Sequence, residues 1–268
     1  MRMDTPIGVF DSGLGGLTVV RHLRRLLPDA GIVYFGDTAR VPYGSKSRES
    51  VTRFSRESCR FLLGQGVGRI VVACNTSSAL ALEALRAEFA VPLHDVIVPG
   101  ARTAAELTRS GRIGVIGTHA TVRSGAYERA LKALDPSLSV HQRACPLFVP
   151  LAEEGWLDRP ATVEIARDYL LPLRETGIDV LILGCTHYPV LAATIRLVMG
   201  DGVALVDSGR SCAEAVRRGA GAHPPPGRAG RVRYFVSDMP ERFREIGRVF
   251  MGAEIGDVTV VSPGGGVR

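Results

Sequence analysis

Short apolar runs alternate with longer amphipathic segments along almost the whole sequence. The first three runs cover residues 7–10, 32–35 and 70–73, and apolar residues at helical spacing follow each of them. Uninterrupted apolar strands that alternate with helices are typical of a parallel sheet covered by helices on both faces. The pattern therefore predicts the α/β fold class, with further strands at residues 96–98, 113–116, 180–183, 204–206, 232–236 and 258–261.

Two segments of the sequence resemble each other and lie 111 positions apart. Residues 70–76 read IVVACNT and residues 181–187 read LILGCTH, so each apolar strand ends in a cysteine followed by polar residues. This repetition predicts two similar α/β halves. Ligands of open parallel sheets bind at the carboxyl ends of the strands, so we expect each half to present a thiol, Cys74 or Cys185, to a ligand.

The composition is that of a folded chain. With 46% hydrophobic and 22% charged residues, there is ample apolar surface to bury, which excludes a disordered protein. A length of 268 residues allows one large domain or two smaller ones. No apolar run approaches the ~18 residues of a membrane helix, and residues 1–6 lack the apolar stretch of a signal peptide. We therefore expect a cytoplasmic protein with no membrane partner.

The chain carries a net charge of +6, and all but two of its 33 basic residues are arginine. Such a balance is compatible with a non-catalytic nucleic-acid-binding protein. The arginines are scattered among acidic residues, however, and no nucleic-acid-binding module or aromatic stacking platform is recognisable. We interpret arginine as the general surface cation and do not expect a nucleic-acid partner.

The five cysteines fall into two groups. Disulfides are rare in a reducing cytosol, and three thiols are interpreted as small buried hydrophobic groups: Cys59, Cys145 and Cys212. Cys74 and Cys185 differ because each follows a strand and precedes a helix, which after Cys74 is predicted over residues 77–89. Free N–H groups at a helix start favour the thiolate form of a neighbouring cysteine.

Several chemistries use reactive cysteines. Structural zinc sites pair cysteines two to four residues apart, and no such pair exists here. A redox pair prefers Cys-x-x-Cys, which is absent. A thiol hydrolase built on Cys185 and His187 leaves Cys74 unused.

Two-base proton transfer uses both thiols. One thiolate removes a proton from one face of a carbon acid, and the opposite thiol returns a proton to the other face. Enantiomers have equal free energies, so such an enzyme works in both directions with an equilibrium constant of one. Two matching halves that each supply the same acid–base group meet this symmetry.

Other residues near the strand ends suit a small amino-acid substrate, although each also has an ordinary structural explanation. The glycine-rich loop 11–16 can bring N–H groups to an anion. Asp11 can orient Cys74, bind an ammonium group or cap a helix. Hydroxyl and amide side chains can bind carboxylates or cap helices: Ser12, Asn75, Thr76 and Thr186. The turn Pro42-Tyr43-Gly44 can close over a ligand, and His187 can tune Cys185.

Several motifs in the same order resemble the glutamate racemase family. They occupy residues 8–19, 34–44, 73–76, 149–153, 183–189 and 237–243, and the resemblance covers about residues 7–252. It implies that Cys74 takes the α-proton of D-glutamate and Cys185 that of L-glutamate. It further implies that Asp11 and His187 assist the thiols and that Glu153 lies near Cys185. The implied substrate-binding residues are Ser12, Tyr43, Gly44, Asn75, Thr76, Thr186 and His187.

The resemblance also implies a domain organisation and a role. Residues 1–98 with 209–268 would form one α/β domain and residues 99–208 the other, facing each other across the active site. The expected reaction is interconversion of L- and D-glutamate without cofactor or metal, supplying D-glutamate for peptidoglycan, and a homodimer is common in the family. A pyridoxal mechanism needs a Schiff-base lysine, and Lys46 and Lys132 are the only lysines. Related racemases that act on aspartate or hydantoins remain alternatives.

Overall fold

The computed structural model describes residues 5–219 and 230–262. Its strands are β1 (Ile7–Asp11), β2 (Ile32–Gly36), β3 (Arg69–Val72), β4 (Leu93–Asp95), β5 (Arg112–Gly117), β6 (Ser139–Ala144), β7 (Val180–Gly184), β8 (Ala204–Asp207), β9 (Val232–Val236) and β10 (Val258–Val260). Within these residues they form a six-stranded sheet in the order β10-β9-β2-β1-β3-β4 and a four-stranded sheet in the order β6-β5-β7-β8. Every pair of neighbouring strands is parallel. The predicted α/β fold class with two parallel sheets is confirmed.

Helices connect the parallel strands and cover the sheets. They are α1 (Leu17–Leu26), α2 (Arg48–Gly64), α3 (Asn75–Leu80), α4 (Leu82–Glu88), α5 (Ile97–Leu107), α6 (His119–Ser124), α7 (Ala126–Leu134), α8 (Phe148–Glu153), α9 (Pro160–Arg174), α10 (Ala192–Met199), α11 (Ser208–Gly219) and α12 (Pro240–Met251). Every residue of β1, β2 and β7 is buried. Burial on both faces explains why these strands read as uninterrupted apolar runs.

The chain passes between the two sheets twice. It leaves the first sheet after β4 through α5 and returns from β8 through α11. The predicted domain boundaries at residues 98/99 and 208/209 fall inside α5 and α11, and part of the first predicted domain lies outside the described residues. These boundaries stay a prediction.

Two local predictions are wrong. Residues 96–98 were expected to form a strand, but β4 ends at Asp95 and α5 begins at Ile97. The cause is the Asp95 side chain, whose Oδ1 accepts the backbone N–H groups of Ile97 at 2.9 Å and Val98 at 2.8 Å, so it starts a helix. The helix predicted over 77–89 is divided into α3 and α4, with a break at Ala81.

The three cysteines interpreted as packing residues are free thiols with no exposed surface: Cys59, Cys145 and Cys212. That interpretation is confirmed. No helix among the described residues combines the length and apolar character needed to cross a membrane.

A tyrosine of β2 supports the loop that follows β1. The hydroxyl of Tyr34, which is fully buried, donates to the carbonyl of Gly13 at 2.8 Å. Gly16, at the end of this loop, has no room for a side chain. A Cβ there would lie 2.6 Å from the Cβ of Asp11 and 3.0 Å from the Tyr34 hydroxyl. The loop shape therefore depends on both residues.

We expect Tyr34→Phe to lower the free energy of unfolding by about 1–2 kcal/mol, because the Gly13 carbonyl is left buried without its donor. Urea denaturation measures the change. Tyr234→Phe is the matched control: Tyr234 packs against Tyr34, and its hydroxyl makes no hydrogen bond within the described part of the chain. Its effect should stay within about 0.5 kcal/mol, and equal losses in the two variants would contradict the account.

Candidate active site

A pocket lies where the carboxyl ends of β1, β3 and β7 meet. Its walls come from both sheets and from the turn before α2, and its lining residues are Ser12, Val41, Pro42, Tyr43, Gly44, Cys74, Asn75, Thr76, Thr118, Val149, Glu153, Cys185, Thr186 and His187. The structure thus brings together eleven of the twelve residues predicted for the site. Asp11 is the exception, since it is fully buried and does not line the pocket.

The pocket is narrow in this conformation. The space inside is about 40 Å³, little more than the ~30 Å³ that one water molecule occupies in the liquid. A ligand the size of an amino acid therefore requires the two walls to separate. Such opening is compatible with walls that belong to two different sheets.

Cys74 follows β3 and caps α3. Its Sγ accepts the backbone N–H of Ser77 at 3.5 Å, and only 5% of the residue is exposed. Burial raises the pKa of this thiol to about 11, the nearby Asp11 carboxylate raises it as well, and the hydrogen bonds to Ser77 and Ser12 lower it by less. The N–H of Ser77 at the helix start favours the thiolate of Cys74 as expected, but burial outweighs it and the pKa is raised overall.

Cys185 follows β7 and has a different environment. Its Sγ lies 3.9 Å from Nδ1 of His187, whose Nε2 lies 2.9 Å from Oε1 of Glu153. Glu153 belongs to α8, whereas Cys185 and His187 follow β7. Two separate segments in the half of the protein with the four-stranded sheet therefore form a thiol–imidazole–carboxylate chain. The ring of Phe250 from α12 packs edge-on against the imidazole, with centroids 5.2 Å apart.

The charges of His187 and Glu153 in this thiol–imidazole–carboxylate arrangement follow from burial and pairing. Burial alone would lower the pKa of His187, but hydrogen bonds to Cys185 and Glu153 raise it to about 10. Burial alone would raise the pKa of Glu153, but its hydrogen bond to His187 lowers it. At neutral pH the structure therefore holds an imidazolium between the Cys185 sulfur and the Glu153 carboxylate.

Asp11 lies behind the pocket wall at the end of β1. Its carboxylate accepts the N–H of Gly13 at 3.1 Å and the hydroxyl of Thr186 at 3.4 Å. Burial raises its pKa, and the nearby His187 charge and backbone N–H groups lower it by less. Asp11 thus contacts the second half through Thr186 and acts electrostatically on Cys74.

Glycine at position 15 lets the loop after β1 press against the second half. A Cβ at Gly15 would lie 2.3 Å from Oγ1 of Thr186 and 2.6 Å from the His187 ring. The hydroxyl of Thr18, in the first turn of α1, donates to the Thr186 carbonyl at 3.1 Å. The distance between the halves at the pocket is therefore set by backbone contact.

The predicted substrate-binding residues are partly engaged with protein groups. The Tyr43 hydroxyl donates to the buried carboxylate of Asp37, so this hydroxyl is already engaged within the protein. The Oδ1 of Asn75 accepts the hydroxyl of Tyr127 at 2.7 Å. The hydroxyls of Thr76 and Thr118 lie 3.0 Å apart and join α3 to the start of α6.

Sequence reasoning did not select two apolar lining residues, Val41 and Val149, and it missed two polar residues of the site. Thr118 lines the pocket and directly follows β5. Thr76 and Thr186 were selected because they are polar residues after an apolar strand, and Thr118 fits the same pattern. Asp37 follows β2 in the same way and anchors Tyr43. Neither belongs to the cysteine repeat that directed attention to the other strand ends.

The comparisons with known proteins agree with this geometry. A family model described as Asp/Glu/Hydantoin racemase matches residues 7–216. The chain belongs to this racemase family. It is 52% identical over 259 residues to a glutamate racemase of Geobacter metallireducens, covering 96% of each chain.

Solved structures of other family members share the fold over nearly the whole chain. A glutamate racemase from Bacillus anthracis superposes with a TM-score of 0.93 at 38% identity, covering 98% of this chain and 99% of the other. A glutamate racemase from Francisella tularensis, solved in complex with D-glutamate, has a TM-score of 0.89 at 35% identity with the same coverage. The family resemblance predicted from the motifs is confirmed.

The ionisation of His187 can be tested directly. In protein with isotopically labelled histidine, we expect the NMR signal of His187 to show a protonated ring at pH 8 and to titrate only as the pH rises through about 10. Glu153→Gln should lower that midpoint by about one to three pH units, because the ring loses a negative partner.

Glu154→Gln is the control, since this exposed neighbour pairs with Arg242 at 3.0 Å and not with His187. This control variant should leave the titration midpoint of His187 unchanged. The His187 resonance is identified as the histidine signal that is missing from the spectrum of His187→Asn. Titration of His187 near its ordinary pKa of 6.5 in the unaltered protein would contradict the charge arrangement.

Proposed function

We propose that this protein interconverts L- and D-glutamate by two-base proton transfer at Cα, without a cofactor. The observation that carries the proposal is the meeting of two cysteines, Cys74 from the end of β3 and Cys185 from the end of β7, in one pocket between two sheets. Opposed acid–base groups are what inversion of a carbon acid requires. Membership in the racemase family and the names of its relatives support the activity and the substrate.

The different surroundings of the two thiols assign their starting states. At neutral pH Cys74 carries its proton, because its pKa is about 11. The Sγ of Cys185 lies 3.9 Å from Nδ1 of His187, whose ring is positively charged. We propose that Cys185 removes the α-proton of L-glutamate while Cys74 delivers its own proton to the opposite face, giving D-glutamate. The reverse reaction begins with the proton on Cys185 and the charge on Cys74.

The carboxylates of glutamate need donors in a pocket that excludes water. Ser12, Thr76, Thr118 and Thr186 supply hydroxyls there, and Asn75 supplies an amide. Hydrogen bonds to the α-carboxylate stabilise the negative charge that develops as the α-proton leaves. Asp11 is fully buried beneath the pocket wall. In this proposal its carboxylate accepts the Thr186 hydroxyl and acts electrostatically on Cys74. It contacts the substrate ammonium only if the pocket walls move apart.

The wider role follows from the resemblance. We propose that the D-glutamate supplies peptidoglycan synthesis, that the enzyme works in the cytoplasm, and that it forms a homodimer. These statements stay predictions that the family resemblance supports. No observation favours nucleic-acid binding as a second function.

The reaction is tested by incubating metal-free, pyridoxal-free protein with L-glutamate in D₂O. We expect D-glutamate to appear until the enantiomers are equal, with deuterium at Cα of the product, because the thiol that reprotonates the carbanion has exchanged with solvent. Chiral chromatography with mass spectrometry follows both changes. Well-folded protein that gives neither inversion nor exchange would contradict the proposal.

Substrate choice is tested in the same assay with L-aspartate and a hydantoin in place of L-glutamate. We expect glutamate to react at least about a hundredfold faster by kcat/KM, because a missing carboxylate contact leaves buried donors unpaired. Faster turnover of either rival would assign this chain to another substrate of the family.

The two bases are tested by Cys74→Ala and Cys185→Ala. We expect each to lower the racemization rate by about four orders of magnitude or more, in line with loss of an essential acid–base group. Cys59→Ala is the matched control, because Cys59 is equally buried but lies in α2 away from the pocket. If either pocket variant keeps the turnover of the control, the two-base mechanism is wrong.

A further inference from the structure

Asp37, directly after β2, is a fully buried carboxylate that the mechanism above does not use. Its Oδ2 accepts Nε of Arg40 at 2.7 Å and also accepts the hydroxyl of Tyr43. Its Oδ1 accepts the hydroxyl of Ser237 at 3.0 Å. A buried charge is stable only when it is paired and hydrogen-bonded, and this one has both kinds of partner.

The partners of Asp37 come from distant parts of the chain. Ser237 follows β9, 200 positions later, and its hydroxyl also accepts the backbone N–H of Ala39 at 2.8 Å. Beside it, the backbone N–H of Asp238 donates to the hydroxyl of Thr38 at 2.8 Å. The backbone N–H of Asp37 itself donates to the Asp11 carbonyl at 3.1 Å. Asp37 thus joins the end of β1, the end of β9 and the turn that carries Tyr43.

Arg40 balances the charge of Asp37 from the outer side. Its guanidinium pairs with Glu57 of α2 as well as with Asp37, and it lies 4.1 Å from the ring centre of Phe54. The arginine is therefore held by α2 independently of the pocket. Among the described residues that bond to Asp37, Tyr43 alone also lines the pocket.

Tyr43 connects this anchor to the first thiol. Its ring is almost fully buried, packs against Phe54 with centroids 5.6 Å apart, and shares a hydrophobic cluster with Cys74. Its hydroxyl is committed to Asp37, so Pro42, Gly44 and the backbone of the turn remain to face a ligand.

The same turn reaches the second half of the protein. A Cβ at Gly44 would lie 2.7 Å from the Cβ of Thr118, so the turn and the start of α6 are in close contact. A displacement of Tyr43 would therefore alter the pocket on the Cys74 side and on the Thr118 side together.

We propose that Asp37 is a positioning residue for substrate binding, and that it acts through Tyr43 by fixing the Pro42–Gly44 turn against the pocket. The inference rests on the proposed function, because its readout is glutamate turnover. Asp37 does not line the pocket, and no hydrogen bond joins it to either thiol or to His187 within the described residues. Its loss should weaken substrate binding and leave the proton transfers largely intact.

The test is a double-mutant cycle of Asp37→Asn and Tyr43→Phe, with KM and kcat measured for both enantiomers. We expect each single variant to raise KM about tenfold, because a hydrogen bond to a buried charged group is lost. We expect kcat to change by less than about threefold, and the midpoints of the pH–kcat profile to stay in place. The double variant should be no worse than the poorer single variant, since both changes remove the same bond.

Glu57→Gln is the control, because it removes the other carboxylate partner of Arg40 without touching the turn. It should leave KM unchanged. Thermal unfolding shows which variants are folded, and Tyr43→Phe, which keeps the packed ring, carries the test if Asp37→Asn does not fold.

Several results would overturn the proposal: an unchanged KM in Tyr43→Phe, multiplied effects near a hundredfold in the double variant, or a fall in kcat with a displaced pH profile in Asp37→Asn. Inactive wild-type protein would instead contradict the proposed function. Active wild type with an unchanged KM in both single variants would contradict only the role given to Asp37.

Discussion

The contact between the loop after β1 and the residues after β7 is the interaction on which the site depends. Gly15 lies against Thr186 and His187 with no room for a side chain, so the ends of two separate sheets meet at backbone distance. Cys74 and Cys185, which follow the carboxyl ends of two buried parallel strands, line one pocket beside this contact. A two-base mechanism needs its groups on opposite sides of one carbon, which a single sheet edge does not offer. Two sheets facing each other supply that geometry directly.

Burial in the pocket disfavours a charged thiolate, and the surroundings of Cys74 and Cys185 differ in how they act on the thiol. Excluding water strengthens every interaction inside the pocket but disfavours a thiolate. On the Cys185 side, a positively charged imidazole paired with the Glu153 carboxylate lies next to the sulfur. On the Cys74 side, burial raises the pKa of the thiol to about 11, so the thiol keeps its proton at neutral pH. The proposed mechanism needs one proton-accepting and one proton-donating sulfur, with the roles exchanged after each turnover.

Much of this could be predicted from the sequence because its strongest signals are local. A strand buried on both faces must be apolar throughout, as β1 and β7 are, and the cysteine repeat marked the two strand ends that matter. The edge strand β6 was not predicted, since its residues are only partly buried and form no apolar run. The start of α5 depended on hydrogen bonds of one side chain, Asp95, which outweighed the β-branched residues after it.

Other features depend on contacts between distant parts of the chain, and local patterns do not contain them. The importance of Asp37 arises from Ser237, which follows β9, the strand next to β2 in the sheet but 200 positions later in the sequence. The ionisation of Cys74 depends on how deeply the completed fold buries it, and the helix-start pattern alone predicted the opposite direction.

We propose that each thiol serves one face of the substrate, and hydrogen exchange at Cα by single-cysteine variants in D₂O distinguishes the two faces. A variant that lacks Cys74 should exchange the α-hydrogen of L-glutamate faster than that of D-glutamate, without inversion. A variant that lacks Cys185 should show the reverse preference. We expect this crossed pattern. Exchange of the same enantiomer by both variants, or of both enantiomers by one variant at equal rates, would contradict it.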